Sequence, residues 1–287
     1  MSAISLAPSP PSQAEVTAFY DARVAGKLAD FVQANPRIEA AVETLAEWAP
    51  KRPRRVLEIG CGVGATAWRM ARAWPEAEVI ALDLSPASIE MARTCFHRSN
   101  LNYRASRLEA SGLEGVFDLV LMMDVYEHVA PGDRAALHGG LNRLLSDESR
   151  LILTIPSPAH QDFLRHRRPE GLQPIDESID PAQILRLAEA THTRLVCYRE
   201  VGVWRYGDYF HAVLARGENL GPVALRQDRR GLKDRLKSIL GRPVERPSGA
   251  RNLLGVDVAS PERAGIARRF RVSAAERRRI AVAARLG

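Results

Sequence analysis

From Arg54 onward the chain alternates two textures. RRVLEIG, AEVIALDLS, FDLVLMMD and RLILTIPS are short and almost continuously apolar, with LNYRAS as a weaker run of the same kind. Between them lie ATAWRMARAWP, PASIEMARTCFHRSN and DRAALHGGLNRLLS, in which apolar residues recur at helical spacing; Pro75 ends the first and Pro86 opens the second. A strand apolar on both faces has to be covered on both, and strands separated by helices run parallel. A further helix is expected over residues 179–190. After it, RLVCYREVGVW and DYFHAVLAR have no helix between them, so they pair antiparallel through Arg205–Asp208. The prediction is a Rossmann-like, doubly wound α/β fold: a mostly parallel seven-stranded sheet with a terminal antiparallel strand pair.

Residues 14–50 precede that pattern with helical periodicity broken at Asn35-Pro36, which predicts two helices forming an N-terminal lid. The expected organisation is a Pro- and Ser-rich leader over 1–13, a domain over 14–216 with its core at 51–216, and an extension over 217–287. The stretch 157–178 reads as a long polar loop. No apolar run is long enough to span a bilayer, the start lacks the pattern of a secretory signal, and the three cysteines match no metal spacing. The expectation is a cytoplasmic protein.

The net charge of +7 is unevenly spread. Residues 221–287 hold 17 Lys and Arg against 6 Asp and Glu, leaving 24 against 28 in the preceding 220 residues. The basic character belongs to the extension, where pieces such as LKDRLKSIL and ARRFRVSAAERRRIAVAARL suit a membrane surface, a nucleic acid or an acidic protein face. Aromatic residues are nearly absent there, so base stacking is poorly served.

In an open parallel sheet the ligand lies beyond the carboxyl ends of the strands, where strand order reverses. Gly60, Gly62 and Gly64 follow the first strand at that edge, and Asp83 closes the second. Gly60-x-Gly62-x-x-Ala65 with Asp83 also satisfies a dinucleotide fingerprint, which keeps an NAD-type oxidoreductase open. Glu58 points elsewhere. A carboxylate two residues before the first glycine adds negative charge where a pyrophosphate would sit, and suits a cationic ligand.

Glu58-x-Gly60-x-Gly62-x-Gly64, Asp83 after strand two, and FDLVLMMDVYEHV together resemble the motifs of class I S-adenosylmethionine-dependent methyltransferases, most of all the ubiquinone-biosynthesis O-methyltransferases and their small-molecule relatives. The resemblance spans roughly residues 15–215. It implies that Arg37, after Asn35-Pro36, pairs the methionine carboxylate of S-adenosylmethionine, that Gly60 lines the methionine moiety, and that Asp83 takes the ribose hydroxyls. It also implies that Leu84 lies against adenine and that Met123 packs near the cofactor. The usual acidic partner of the adenine amine after strand three is missing, with Ser106 or Arg107 in its neighbourhood.

Asp124-Val-Tyr-Glu127-His128 stands past strand four at the same edge. His128 has an ordinary pKa near working pH and suits a general base. Three roles stay open for this cluster: structural support, catalytic base at His128, or a magnesium site of Asp124, Glu127 and His128. The acceptor is expected to be a small molecule or glycan, methylated at oxygen; a nucleic-acid or protein substrate engaged by the basic extension is the alternative. Tyr20, Trp204, Tyr206, Tyr209 and His211 are candidates for an aromatic acceptor wall, and Arg165–Arg168 for an anion contact.

Overall fold

The sheet edge that holds the site is built by a single seven-stranded sheet. The structure is a computed structural model that describes residues 11–217, 254, 256 and 260–269. Its strands are β1 (Arg55–Ile59), β2 (Glu78–Asp83), β3 (Leu101–Ala105), β4 (Phe117–Met123), β5 (Leu145–Pro156), β6 (Arg194–Val201) and β7 (Tyr209–Ala215). They lie in the order β3-β2-β1-β4-β5-β7-β6, parallel from β3 through β5. β7 runs antiparallel to both neighbours. Strand order reverses between β1 and β4, so the glycine loop after β1 and the DVYEH turn after β4 emerge side by side.

Side-chain alternation explains the two-sided covering. Val56, Val79, Leu119 and Leu121 join one apolar cluster, with Phe31, Leu45, Met70 and Ile89 from the helices; Leu57, Ile80, Val120 and Leu151 join a second, with Leu137, Leu141, Ile184 and Leu187. Those helices are α2 (Val24–Val32), α3 (Pro36–Trp48), α4 (Ala65–Ala73) and α5 (Pro86–Cys95) on the first face, α6 (Arg134–Leu144) and α8 (Pro181–Ala190) on the second. The same alternation turns Glu58 toward the face that α4 covers.

Two expectations need correction. The lid has three helices, because α1 (Gln13–Asp21) ends before α2 begins. The break falls at Ala22-Arg23, where no Gly, Pro or side-chain cap interrupts the apolar spacing; Arg23 leaves helical geometry with its guanidinium over the Phe19 ring. The second concerns 157–178. Ser157 caps a helix α7 (Pro158–Arg167) by accepting from the His160 amide, and Pro158 fills its first position. Six of its ten residues are polar and only Gln161 is buried, so it carries no buried apolar stripe for periodicity to find.

The β6–β7 connection is held by Asp208, whose carboxylate accepts from the Val203, Trp204 and Arg205 amides at 2.8–3.0 Å. Helix α9 (Pro261–Arg269) packs against α2, and Leu254, Val256 and Ile266 enter the first apolar cluster. The expected membrane or nucleic-acid contacts of the extension fall on residues that are mostly outside the described ones. Among the described residues no helix is long and apolar enough to cross a membrane.

Candidate active site

A cleft of about 490 Å³ opens beyond the carboxyl ends of β1, β2 and β4, under the lid. Of the residues singled out in the sequence, Arg37, Glu58, Gly60, Gly62, Asp83, Leu84, Ser106, Met123, Asp124 and His128 line it; Gly64 and Glu127 stand just outside.

The floor is the glycine loop. Gly60 and Gly64 have φ of +76° and +82°. A Cβ at Gly60 would overlap the Val125 side chain, and one at Gly64 would lie 2.5 Å from the Tyr103 ring. The Gly60 and Cys61 amides both donate to the Leu82 carbonyl, and the Gly62 amide donates to Asp83 Oδ2 at 2.7 Å. Asp83 Oδ1 accepts from the Ser85 amide at 2.9 Å, so the carboxylate is fixed at the end of β2.

Glu58 is buried at 2% exposure. Burial pushes its pKa up to about 8, although the Ala67 amide in the first turn of α4 donates to it and opposes the shift. Its Oε2 has no hydrogen-bond partner. One oxygen thus caps a helix and the other is a buried acceptor at the cleft floor. A cationic group seated there draws the proton off and pairs with the charge. The carboxyl group therefore has a structural duty that the sequence did not reveal.

Arg37, in the first turn of α3, pairs with Asp124 across the cleft and lies 3.7 Å from Asp30. Asp124 has φ of +52°, a left-handed conformation at the end of β4 that costs energy for a residue with a side chain. The Glu127 carboxyl is wholly buried, both oxygens lack hydrogen-bond partners, and burial raises its pKa to about 8. His128 Nδ1 sits 2.7 Å from the Ile175 carbonyl, so Nδ1 carries the proton and donates, leaving a lone pair on Nε2. Burial lowers the His128 pKa, and Asp176, 3.7 Å away, works against that. The magnesium alternative finds no support in the geometry: Asp124 is on Arg37, while Glu127, 3.6 Å from His128, stands outside the cleft lining. Among the described residues no three His, Cys, Asp or Glu groups are placed to hold a metal ion.

Ser106 donates from its amide to the Asp83 carbonyl at 2.9 Å and from its hydroxyl to the Arg107 carbonyl. An acidic residue that sequence reasoning passed over, Glu109, lines the cleft three residues on, 3.8 Å from Arg107. Lys27 was also beyond sequence reasoning. Its ammonium lies 3.9 Å from Asp83, 3.4 Å from Ser88 Oγ and over the Tyr20 ring. A lysine on a helix surface carries no motif, and only the fold of the lid brings it to β2.

Of the aromatic candidates, Tyr20 lines the cleft with its ring 6.5 Å from that of His128. The others do not. Trp204 and Tyr209 pack with His160, Tyr206 is 96% exposed, and His211 is buried against Thr44. Arg165 is engaged by Ser178 and the Asp176 carbonyl.

The switch-point cleft, the glycine floor, the terminal aspartate and the orphaned Glu58 oxygen fit a cofactor with a ribose and a cationic amino-acid end. They define the class I S-adenosylmethionine-dependent methyltransferase fold. A family profile described as a methyltransferase domain matches residues 56–148.

The ubiquinone biosynthesis O-methyltransferase of Roseobacter denitrificans is 43% identical over 89 residues, covering 30% of this chain and 35% of that one. The malonyl-[acyl-carrier protein] O-methyltransferase of Acetivibrio thermocellus is 27% identical over 133 residues, covering 45% of each. These alignments span less than half of either relative. The magnesium protoporphyrin IX methyltransferase of Synechocystis PCC 6803, solved with bound SAH, superposes with a TM-score of 0.56 at 20% identity, over 71% of this chain and 99% of that one. That likeness is one of fold. With these matches the oxidoreductase alternative loses its support.

Proposed function

We propose that this chain transfers a methyl group from S-adenosylmethionine to an oxygen of a small-molecule or glycan acceptor. The two relatives, both O-methyltransferases, support oxygen as the acceptor atom. The observation that carries the reading is His128: a neutral imidazole at the cleft wall, its tautomer set by the Ile175 carbonyl so that the lone pair stands on Nε2, 3.6 Å from Glu127 Oε1.

When bound, S-adenosylmethionine supplies an electrophilic methyl group on a sulfonium that needs no further activation. Asp83 holds the ribose hydroxyls, Gly60 and Gly62 admit the chain close to the backbone, and Arg37 with Glu58 receives the charged amino-acid end. The protein's remaining tasks are alignment and removal of the acceptor proton. His128 takes that proton at Nε2. The loop that carries Ile175 and Asp176 walls the acceptor side, tied down by the Glu177 amide on the Glu127 carbonyl and by Gln161 on Asp176. Tyr20 closes the cleft from the lid.

The test is a panel of phenolic and carboxylic acceptors with labelled S-adenosylmethionine, on the wild type and His128→Asn. With an acceptor found, His128→Asn is expected to lower kcat by about 10²–10⁴-fold and leave affinity for S-adenosylhomocysteine unchanged. The wild-type rate should hold its plateau to lower pH than an ordinary histidine allows, because burial depresses the pKa. Full turnover in His128→Asn removes the residue from the mechanism; failure of the wild type to bind S-adenosylhomocysteine removes the cofactor.

A further inference from the structure

Two arginines are buried beneath the lid, outside the cleft lining. Arg69 on α4 is 0% exposed and Arg263 on α9 is 1% exposed. Both reach Glu39 of α3. Arg69 forks onto its two oxygens at 2.7 and 3.1 Å, and Arg263 Nη2 donates to Oε1 at 2.9 Å. Burial pushes the Glu39 carboxyl toward protonation, but the two guanidinium groups outweigh it and hold the pKa below the usual range.

Arg263 makes further contacts. It donates to the Phe31 carbonyl in the last turn of α2, where cations favour the helix dipole, and to the Val256 carbonyl at 3.0 Å, while its guanidinium lies 4.8 Å over the Phe31 ring. One side chain from the C-terminal segment therefore binds α2 and α3 directly, and α4 through Glu39. These are the helices that furnish the cleft. α2 carries Lys27 beside Asp83, α3 opens with Arg37 on Asp124, and α4 follows the glycine loop. A buried charge is expensive unless its partners are in place, so pairing both guanidinium groups with Glu39 favours the arrangement of the three helices that brings them together.

We propose that the segment around Arg263 is a clamp on the cofactor lid. Arg263 is a positioning residue. By tying α2 to α3 it sets Lys27 and Arg37 over the cleft, so cofactor retention depends on a segment outside the methyltransferase sheet. The proposal rests on reading the cleft as the S-adenosylmethionine site, and the test keeps the two apart.

The full chain is compared as wild type, Arg263→Gln and Arg263→Lys, by amide hydrogen exchange without ligand and by calorimetric titration with S-adenosylhomocysteine. Gln removes the charge; Lys keeps it but cannot reach Glu39 and the two carbonyls together. Amides of residues 24–37 should exchange about tenfold faster or more in both variants, with β4 and β5 still protected, and the Kd should rise by about tenfold or more. Should Arg263→Gln also expose β4 and β5, the milder Arg263→Lys is the variant read. Lid exchange within about twofold of wild type overturns the clamp. Faster lid exchange with unchanged affinity overturns its link to the cofactor. Wild-type protein that binds no S-adenosylhomocysteine, with variants whose lid still loosens, keeps the clamp and overturns the identity of the cofactor.

Discussion

Asp83 shows how one side chain serves two ends. Its oxygens hold the Gly62 and Ser85 amides, which shape the glycine floor and the entry to α5, and Lys27 stands beside it with a compensating charge. A carboxylate that accepts from backbone amides inside a cleft is already desolvated and oriented, so additional hydroxyl donors gain the strength of charge-assisted bonds. Asp83→Asn keeps the side-chain size, removes the charge and leaves one acceptor oxygen for the two backbone amides. It is expected to weaken S-adenosylhomocysteine by about tenfold, the difference between charged and neutral hydrogen bonds, read by calorimetry. Unchanged affinity assigns Asp83 to loop support alone. Its position closing an apolar strand made Asp83 legible in the sequence. Lys27 was not, because nothing local to VAGKLADFV marks the lysine as facing β2.

At the scale of elements, the turn from β1 into α4 is where conformation leaves least freedom. Gly64 sits at φ +82° as the residue before α4, with Tyr103 where a Cβ would go, and the Tyr103 hydroxyl donates to the Gly64 carbonyl at 3.1 Å. Gly64→Ala adds backbone strain and steric overlap together, and is expected to cost about 2–4 kcal/mol, measured by chemical denaturation. A cost under about 0.5 kcal/mol would mean the loop adapts freely. The strands and the helices that cover them were readable because each repeats an apolar period. α7 was not, since its sides meet mostly solvent. The extra break in the lid was hidden too, as the apolar spacing runs through Ala22-Arg23 and the chain turns there for tertiary reasons.

For the molecule as a whole, burial of ionisable groups sets the pH dependence of stability. Glu58 and Glu127 have pKa values of about 8 in the fold against 4.5 for free carboxyls. Above 4.5 the unfolded chain gives up these protons while the fold retains them, so stability is lost as pH rises from 4.5 to 8 and the loss then levels off. His211, buried against Thr44, is pushed down to about 4, with the opposite sign: the unfolded chain takes a proton below 6.5 that the fold refuses, and stability is lost as pH falls toward 4. In Glu127→Gln the decline in Tm between pH 5 and 8 should be visibly shallower than in wild type, and in His211→Gln the decline below pH 6.5 should shrink. Identical profiles in calorimetry would show that these groups are hydrated in solution.

The amino-acid sequence by itself determined the sheet, its order of elements and the cofactor edge, because hydrophobic period and glycine spacing are local properties of the chain. The roles at that edge came only with tertiary structure. Arg37 meets Asp124, Glu127 is buried against His128, Glu109 joins Ser106 in the cleft lining, and Arg263 reaches Glu39 from 224 residues away. Each of these depends on which buried charge finds which partner, a matter of three-dimensional proximity that no spacing along the chain records.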